Sequence, residues 1–198
     1  MVAMAHTYDL LVIGFGKAGK TIAMKRAKAG DSVALIERDP QMYGGTCINI
    51  ACIPTKTLLV DADRHRRASV GAADPAEAAA AFARSQEHRD GFIATLNAAN
   101  LKMVADAGVE VVVGEAHFVG PHEVAVDTAE GVVRMSAPRI VVNTGSAAFR
   151  PDLPGIDSPR VFDSTSIQHI EHLPAQLAIV GGGPIGLEFA TLFSAYGT

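Results

Sequence analysis

Two cysteines, Cys47 and Cys52, stand in the stretch GGTCINIACIPTK (residues 44–56), behind paired glycines and just ahead of a proline and a lysine; the chain has 2 cysteines in all. Three chemistries suit such a pair: a structural disulfide, half of a metal site, or a redox couple. Five residues of regular helix rise about 7.5 Å, more than the roughly 7 Å between Cα atoms that a disulfide tolerates. If the two bridge, the backbone between them must turn, with a helix starting near residues 52–54. That puts a sulfur at a helix N-terminus, where the dipole favours thiolate, and a short strained bridge there is a reactive one. A zinc site usually needs four ligands. The sequence has no second C-x-x-C, His169-x-x-His172 reads as a polar pair, and His117 and His122 read as flanking a turn. No metal ligands are therefore assigned. Two buried structural thiols stay open as the alternative.

Glycines provide the second constellation. In GFGKAG, Gly14, Gly16 and Gly19 fit G-x-G-x-x-G after the apolar run 10–13 and before a helical pattern through Ile22, Met24 and Ala27, which Gly30 ends. This spacing suits a tight turn, close backbone approach to a pyrophosphate and close helix–strand packing, with the phosphate at the helix N-terminus. Glu37 ends the next strand, SVALIE, where a carboxylate can accept hydrogen bonds from a ribose diol. Strand, glycine turn, helix, strand and acid together point to dinucleotide binding. A second set, Gly181, Gly183 and Gly186, follows LAIV. The residue that selects NAD or NADP belongs about 20 positions further on, past Thr198. Two loops suggest two dinucleotides, a flavin and a nicotinamide; a duplicated fold with one cofactor is the alternative.

The elements that carry these loops read as α/β. A βαβ unit opens the chain, and helices follow from Pro54 and from Asp74, with Pro75 in the first turn and Glu77 completing a capping box. Phe92, Leu96, Ala99 and Met103 form one helical stripe, expected to face the core. From Val109 a string of short β-branched runs follows, separated by turn residues. FRPDLPGIDSPR then reads as a crossing between domains, and LPAQLAIVGGGPIGLEFATLFSAYGT repeats the strand, turn and helix of the opening.

At 198 residues with 48% hydrophobic and 19% charged residues, the composition is that of a soluble globular chain. A net charge of −4 gives no basis for a nucleic-acid partner, and no run approaches the roughly 18 apolar residues of a membrane span. The start shows no basic region followed by a long apolar stretch, so no leader and no membrane partner are expected, and a reducing cytoplasm is.

The stretch GGTCINIACIPTK closely resembles the redox segment of the class I pyridine nucleotide–disulfide oxidoreductases, flavoproteins that include glutathione reductase, dihydrolipoamide dehydrogenase and mercuric reductase. Thr46, Cys47, Asn49, Cys52, Pro54 and Lys56 match, and the resemblance runs from VIGFGKAG through VVNTGS to GGGPIGLEFA. GFGKAGKT with MYGGTCINI is most similar to a bacterial branch linked to reactive-chlorine resistance and copper-ion reduction.

The resemblance implies FAD and NAD or NADP as cofactors, and a Cys47–Cys52 redox disulfide. It makes Cys47 the interchange thiol and Cys52 the flavin-side thiol. Lys56 is implied beside the flavin, paired with Glu188, and Gly45, Thr46, Thr144 and Gly145 are implied to line the FAD site. The fold implied is a Rossmann-like FAD-binding domain, with parallel sheet, helices and a small antiparallel meander, over 1–149. A connection follows over 150–173, then the first β-α unit of an NAD(P)-binding domain over 174–198. Electrons would pass from NAD(P)H through flavin and disulfide to a small-molecule or metal-ion acceptor, such as Cu(II) or Hg(II). The full-length protein is implied to be a homodimer, whose C-terminal domain supplies a His–Glu pair. This chain alone is expected to lack turnover. A non-catalytic FAD-binding or redox-sensing module is the second reading. Two departures stand out: Ala51 where the family has glycine, strained if its φ were positive, and Asn143 where the family has alanine.

Overall fold

The computed structural model describes residues 6–69 and 74–198. Positions 1–5, on which the reading of an absent leader partly rests, and 70–73 lie outside the described residues. The elements run β1 (His6–Thr7), β2 (Leu10–Ile13), α1 (Lys17–Lys28), β3 (Val33–Glu37), α2 (Thr46–Asn49), α3 (Cys52–Ala68), α4 (Pro75–Asp106), β4 (Glu110–Val113), β5 (Glu115–Gly120), β6 (Glu123–Thr128), β7 (Gly131–Ser136), β8 (Ile140–Val142), a 3-10 turn (Ser166–His169) and α5 (Pro184–Ala195). They fall into two compact units, Met1–Asn49 with Ala94–Ser146 and Ile50–Ile93 with Ala147–Thr198.

The first unit is built on a parallel sheet of order β4-β3-β2-β8, in which Leu10 pairs Val33 and Ile13 pairs Ile36. Its two central strands are buried almost throughout. That explains why they read as apolar runs and not as alternation: a parallel sheet is covered on both faces. Successive side chains still point to opposite sides. Leu11, Ile13, Ala34 and Ile36 pack against Val124, Val126 and Met135 of the meander, while Leu10, Val12, Val33 and Leu35 pack against Ala23 of α1 and Val104 of α4. The expected antiparallel meander is β5-β6-β7, with β1 parallel on β7. The string of β-branched runs thus divides, because its first and last members, β4 and β8, join the parallel sheet. His122 lies in the β5–β6 turn, whereas His117 belongs to β5.

The second unit is helical. Leu58 and Ala62 of α3, Phe82 of α4, Ile167, and Phe189, Leu192, Phe193 and Tyr196 of α5 form its core. Phe82 meets Tyr196 edge-on at 5.4 Å between centroids, and the Tyr196 hydroxyl lies 2.6 Å from Ser85 Oγ.

Two element readings are corrected. Residues 177–180, expected as a strand, pair with no other strand among the described residues, and Val180 is 94% exposed. A strand exists only through its ladder, and in this unit the neighbours are helices. The stripe Phe92, Leu96, Ala99, Met103 is not core: Phe92, Ala99 and Met103 are exposed and Leu96 is only half-buried. The buried face of α4 there carries Asn100 and Val104. Hydrophobicity selected the wrong side because the inward face includes polar residues. Asp74 does cap α4, its Oδ1 accepting from the Ala76 N–H at 3.1 Å, and Glu77 stands in the first turn. Among the described residues no helix is long and apolar enough to cross a membrane.

Candidate functional site

In the first unit the glycine loop leaves β2 and enters α1. Gly14 has φ +99°, and a Cβ there would lie 2.3 Å from the Asn143 carbonyl oxygen, so only glycine fits. A Cβ on Gly16 or Gly19 would lie 2.7 or 2.6 Å from Asn143 Nδ2. Asn143, the departure from the family pattern, is therefore the loop's close neighbour. Its backbone N–H donates to the Ile13 carbonyl at 2.8 Å and its Nδ2 to the Gly14 carbonyl at 3.1 Å, tying the end of β8 to the loop. Helix α1 begins after Gly16 with no side-chain cap and no acid in its first turn, but with Lys17. Its N–H groups and positive dipole end are thus left for an anion.

Glu37 closes β3 beneath this loop. Its Oε2 accepts from the Phe15 N–H at 2.8 Å and its Oε1 from the Asp39 N–H at 3.3 Å. Burial raises the Tyr43 phenol above its ordinary value, with the charges of Glu37 and Asp39 adding to the effect. The Gly44–Gly45 turn lies against the loop: Gly16 bridges Gly44, and a Cβ on Gly45 (φ +74°) would lie 2.5 Å from Gly16 Cα. Gly145 (φ +76°) approaches Thr46, whose Oγ1 would be 3.4 Å from an added Cβ. Gly14, Gly16, Gly19, Glu37, Gly45, Thr46, Thr144 and Gly145 thus belong to one face of one unit. Cys47, half-buried, sits in α2 behind Thr46.

In the second unit Cys52 is the first residue of α3 and exposed. The helix is interrupted before it. Ala51 has φ −112° and ψ −85°, so the chain turns just before Cys52, and alanine there adopts no left-handed strain. The Gln168 side chain, buried, holds this entry by donating Nε2 to the Ile50 carbonyl at 2.9 Å and to the Ser164 carbonyl at 2.8 Å. One turn on, the Lys56 ammonium donates to Glu188 Oε1 of α5. The second glycine loop precedes α5. Gly181 has φ +114°, Gly183 is the N-cap, Pro184 takes the first helical position, and a Cβ on Gly186 would lie 2.2 Å from the Gly181 carbonyl oxygen.

Residues 8–198 match the family described as pyridine nucleotide-disulphide oxidoreductase. The chain belongs to that family. It is 42% identical over 195 residues to the probable pyridine nucleotide-disulfide oxidoreductase RclA of Escherichia coli (strain K12), covering 98% of this chain and 41% of that protein. It is 35% identical over 202 residues to the mercuric reductase of Streptomyces lividans, covering 98% of this chain and 42% of that protein. The solved structure described as the Cu(II) complex of the HOCl-induced flavoprotein disulfide reductase RclA from Escherichia coli superposes with a TM-score of 0.86. It shares 42% identity, over 98% of this chain and 41% of that one. The chain thus spans about two fifths of the length of these relatives. It has the mixed α/β fold of that flavoprotein, and the family is one of FAD-dependent enzymes with NAD(P)H as electron donor.

The family pattern left several residues of this site unread. Lys20, in the second turn of α1, donates to Asn100 Oδ1, and its ammonium is held below its ordinary pKa by burial and then by Lys17. Asn97 and Asn100 lie three apart on the inward face of α4. The available signal was two asparagines within an alanine-rich helix, where asparagine is a poor helix former unless its side chain is engaged. Gln168 left no comparable trace.

Proposed function

We propose that this chain is the FAD- and disulfide-bearing part of an NAD(P)H-dependent oxidoreductase that reduces an oxidised small molecule or metal ion through Cys47 and Cys52. The observation that carries the reading is the arrangement in the first unit. A glycine loop closed to any side chain at Gly14, an uncapped α1 N-terminus, the Glu37 carboxylate and the Gly44–Cys47 turn share one face. These residues fit FAD: a cradle that a Cβ would fill, free N–H donors for a pyrophosphate and an acid for a ribose.

Gly14, Gly16 and Gly19 admit the pyrophosphate to the backbone, Glu37 accepts from the ribose hydroxyls, and Gly45, Thr46, Thr144 and Gly145 border the remaining length. Bound flavin supplies the two-electron exchange between nicotinamide and disulfide, chemistry that belongs to the cofactor. Cys47 is assigned as the interchange thiol that meets the acceptor and Cys52 as the flavin-side thiol. Lys56, oriented by Glu188, provides a positive charge beside the ring, and Gly181, Gly183 and Gly186 open the nicotinamide site. The domain limits assigned are 1–149 for FAD, 150–173 for the connection and 174–198 for the start of the nicotinamide domain. The E. coli relative resolved with Cu(II) and the Streptomyces mercuric reductase support a metal ion as acceptor, and a cytoplasmic homodimer is the assembly assigned.

The test is purification of the whole protein and of its Gly14→Val variant. Wild type should be yellow and oxidise NADH or NADPH with Cu(II) or a disulfide supplied, and the variant should be colourless. Colourless wild type that takes up no added FAD would overturn the reading.

A further inference from the structure

The strongest unexplained feature lies on α4. Asn97 Nδ2 donates to the Gln41 carbonyl at 2.5 Å and to Asn49 Oδ1 at 3.2 Å. Asn49 in turn donates its own Nδ2 to the carbonyls of Tyr43, at 3.2 Å, and Gly45, at 3.0 Å. One turn along, Asn100, 6% exposed, accepts from the Lys20 ammonium and donates to the Leu96 carbonyl at 2.7 Å. Gly44, at φ +102°, passes so close that an added Cβ would lie 3.1 Å from Asn100 Nδ2. Every residue of this network belongs to the first unit. It grips the segment 41–49 from one side, and that segment carries Cys47.

We infer that Asn97 is a positioning residue for Cys47: through Asn49 and the Gln41 carbonyl it fixes the turn 41–49, with Asn100 packed beside Gly44, and so sets the reactivity of the thiol. The inference rests on the reading of Cys47 as a redox thiol. The physical grounds are hydrogen-bond satisfaction and chain entropy. Segment 41–49 is regular only over the four residues of α2; its own backbone bonds close the turns at 42–45 and 45–49, while the Gln41 and Tyr43 carbonyls are met by side chains. The carbonyls of Gln41 and Tyr43 find their donors in the side chains of Asn97 and Asn49, and that of Gly45 accepts from Asn49 Nδ2 beside the backbone N–H groups of Ile48 and Asn49. A donor at Asn97 is the specific requirement, since both groups it faces are acceptors. A turn held in one conformation keeps the entropy of disulfide closure low and the thiol's surroundings fixed.

The experiment uses Asn97→Ala and the isosteric Asn97→Asp, with Met103→Ala on the exposed face of the same helix as a control. In a Cys52→Ser background Cys47 is the one thiol left in residues 1–198, and its alkylation by iodoacetamide is followed across pH on the peptide that carries it. With both cysteines present, the equilibrium of the pair with glutathione is measured. Two protein thiols and one glutathione disulfide give one protein disulfide and two reduced glutathiones. Loss of the Asn97 amide, and with it the bonds to Gln41 and Asn49, predicts a rise in Cys47 alkylation rate and a fall in the oxidation equilibrium constant of about fivefold or more each. The aspartate variant should be at least as affected as alanine, because it sets an acceptor against two acceptors, and Met103→Ala should match wild type. A lowered melting temperature with unchanged alkylation and equilibrium, or an aspartate variant that behaves as wild type, would overturn the inference. Failure of the wild-type pair to oxidise at all would instead overturn the redox reading, leaving the alkylation series to decide the positioning role.

Discussion

Lys56 and Glu188, 132 positions apart in the chain, form an ion pair between the second turns of α3 and α5. Nothing local in the sequence links them. The pairing is legible only through the family pattern, and the fold of the second unit brings it about. Their side chains are 58% and 32% exposed, so the pair is screened by water and salt. Substituting either (Lys56→Met or Glu188→Gln) should change folding stability by no more than about 1 kcal/mol, measured by denaturant unfolding. In the whole protein Lys56→Met should nonetheless slow flavin reduction by NAD(P)H, read in stopped flow, because the charge is assigned to the flavin. A large stability loss with unchanged flavin reduction would make the pair a structural tie only.

Gly14 and Gly16 should answer differently to the same substitution. A methyl at Gly16 meets the end of the Asn143 side chain, whereas one at Gly14 meets the Asn143 backbone carbonyl at a positive φ. Gly16→Ala should weaken FAD retention, and adding Asn143→Ala should restore much of it. Gly14→Ala should abolish retention with or without that second change. Flavin absorbance per protein after gel filtration is the readout, and equal rescue of both would refute the geometry.

The second unit should lose stability on mild acidification. His169 is held below its ordinary pKa of 6.5 by burial, with Arg89 adding to the effect. Its folded pKa is below the unfolded one, so the unfolded chain takes up the proton first. The stability that neutral His169 secures is present above the unfolded pKa and lost as pH falls below it. Melting temperature should therefore fall between about pH 7 and about pH 5, and His169→Gln should flatten that dependence. An unchanged slope in the variant would assign it to other groups.

Asp163 should act at lower pH. Its carboxylate accepts from the Ser166 and Thr165 N–H groups at 2.8 and 3.0 Å, at the start of the 3-10 turn, and hydrogen bonding from Ser166 holds it below its ordinary range. The folded pKa is depressed, so its contribution is present above the unfolded value of about 3.9 and lost as pH falls through the folded one. Asp163→Asn should remove that part of the acid transition, measured by circular dichroism.

Sequence carried the parts of this fold that depend on local physics. The glycine loop, the apolar runs of β2 and β3, and the helix start at Cys52 follow from φ constraints, two-sided burial and a proline, Pro54, in the first helical turn. What escaped depends on tertiary partners. The inward face of α4 carries Asn97, satisfied by the turn at 41–49, and Asn100, satisfied by Lys20 of α1 and the Leu96 carbonyl, so a hydrophobic stripe pointed to the opposite face. Residues 177–180 have the composition of a strand but lack a ladder among the described residues. Asn143 had no visible reason until its amide was seen over Gly16 and Gly19.

The central claim is that electrons from NAD(P)H reach a bridge between Cys47 and Cys52. Its most direct measurement is alkylation of the peptide 44–56 from the whole FAD-loaded protein, unfolded without reductant before and after anaerobic exposure to NADH or NADPH, and read by mass. The account predicts no label on either cysteine before, and two labels after. Two labels before exposure, or none after the flavin has bleached, would contradict it.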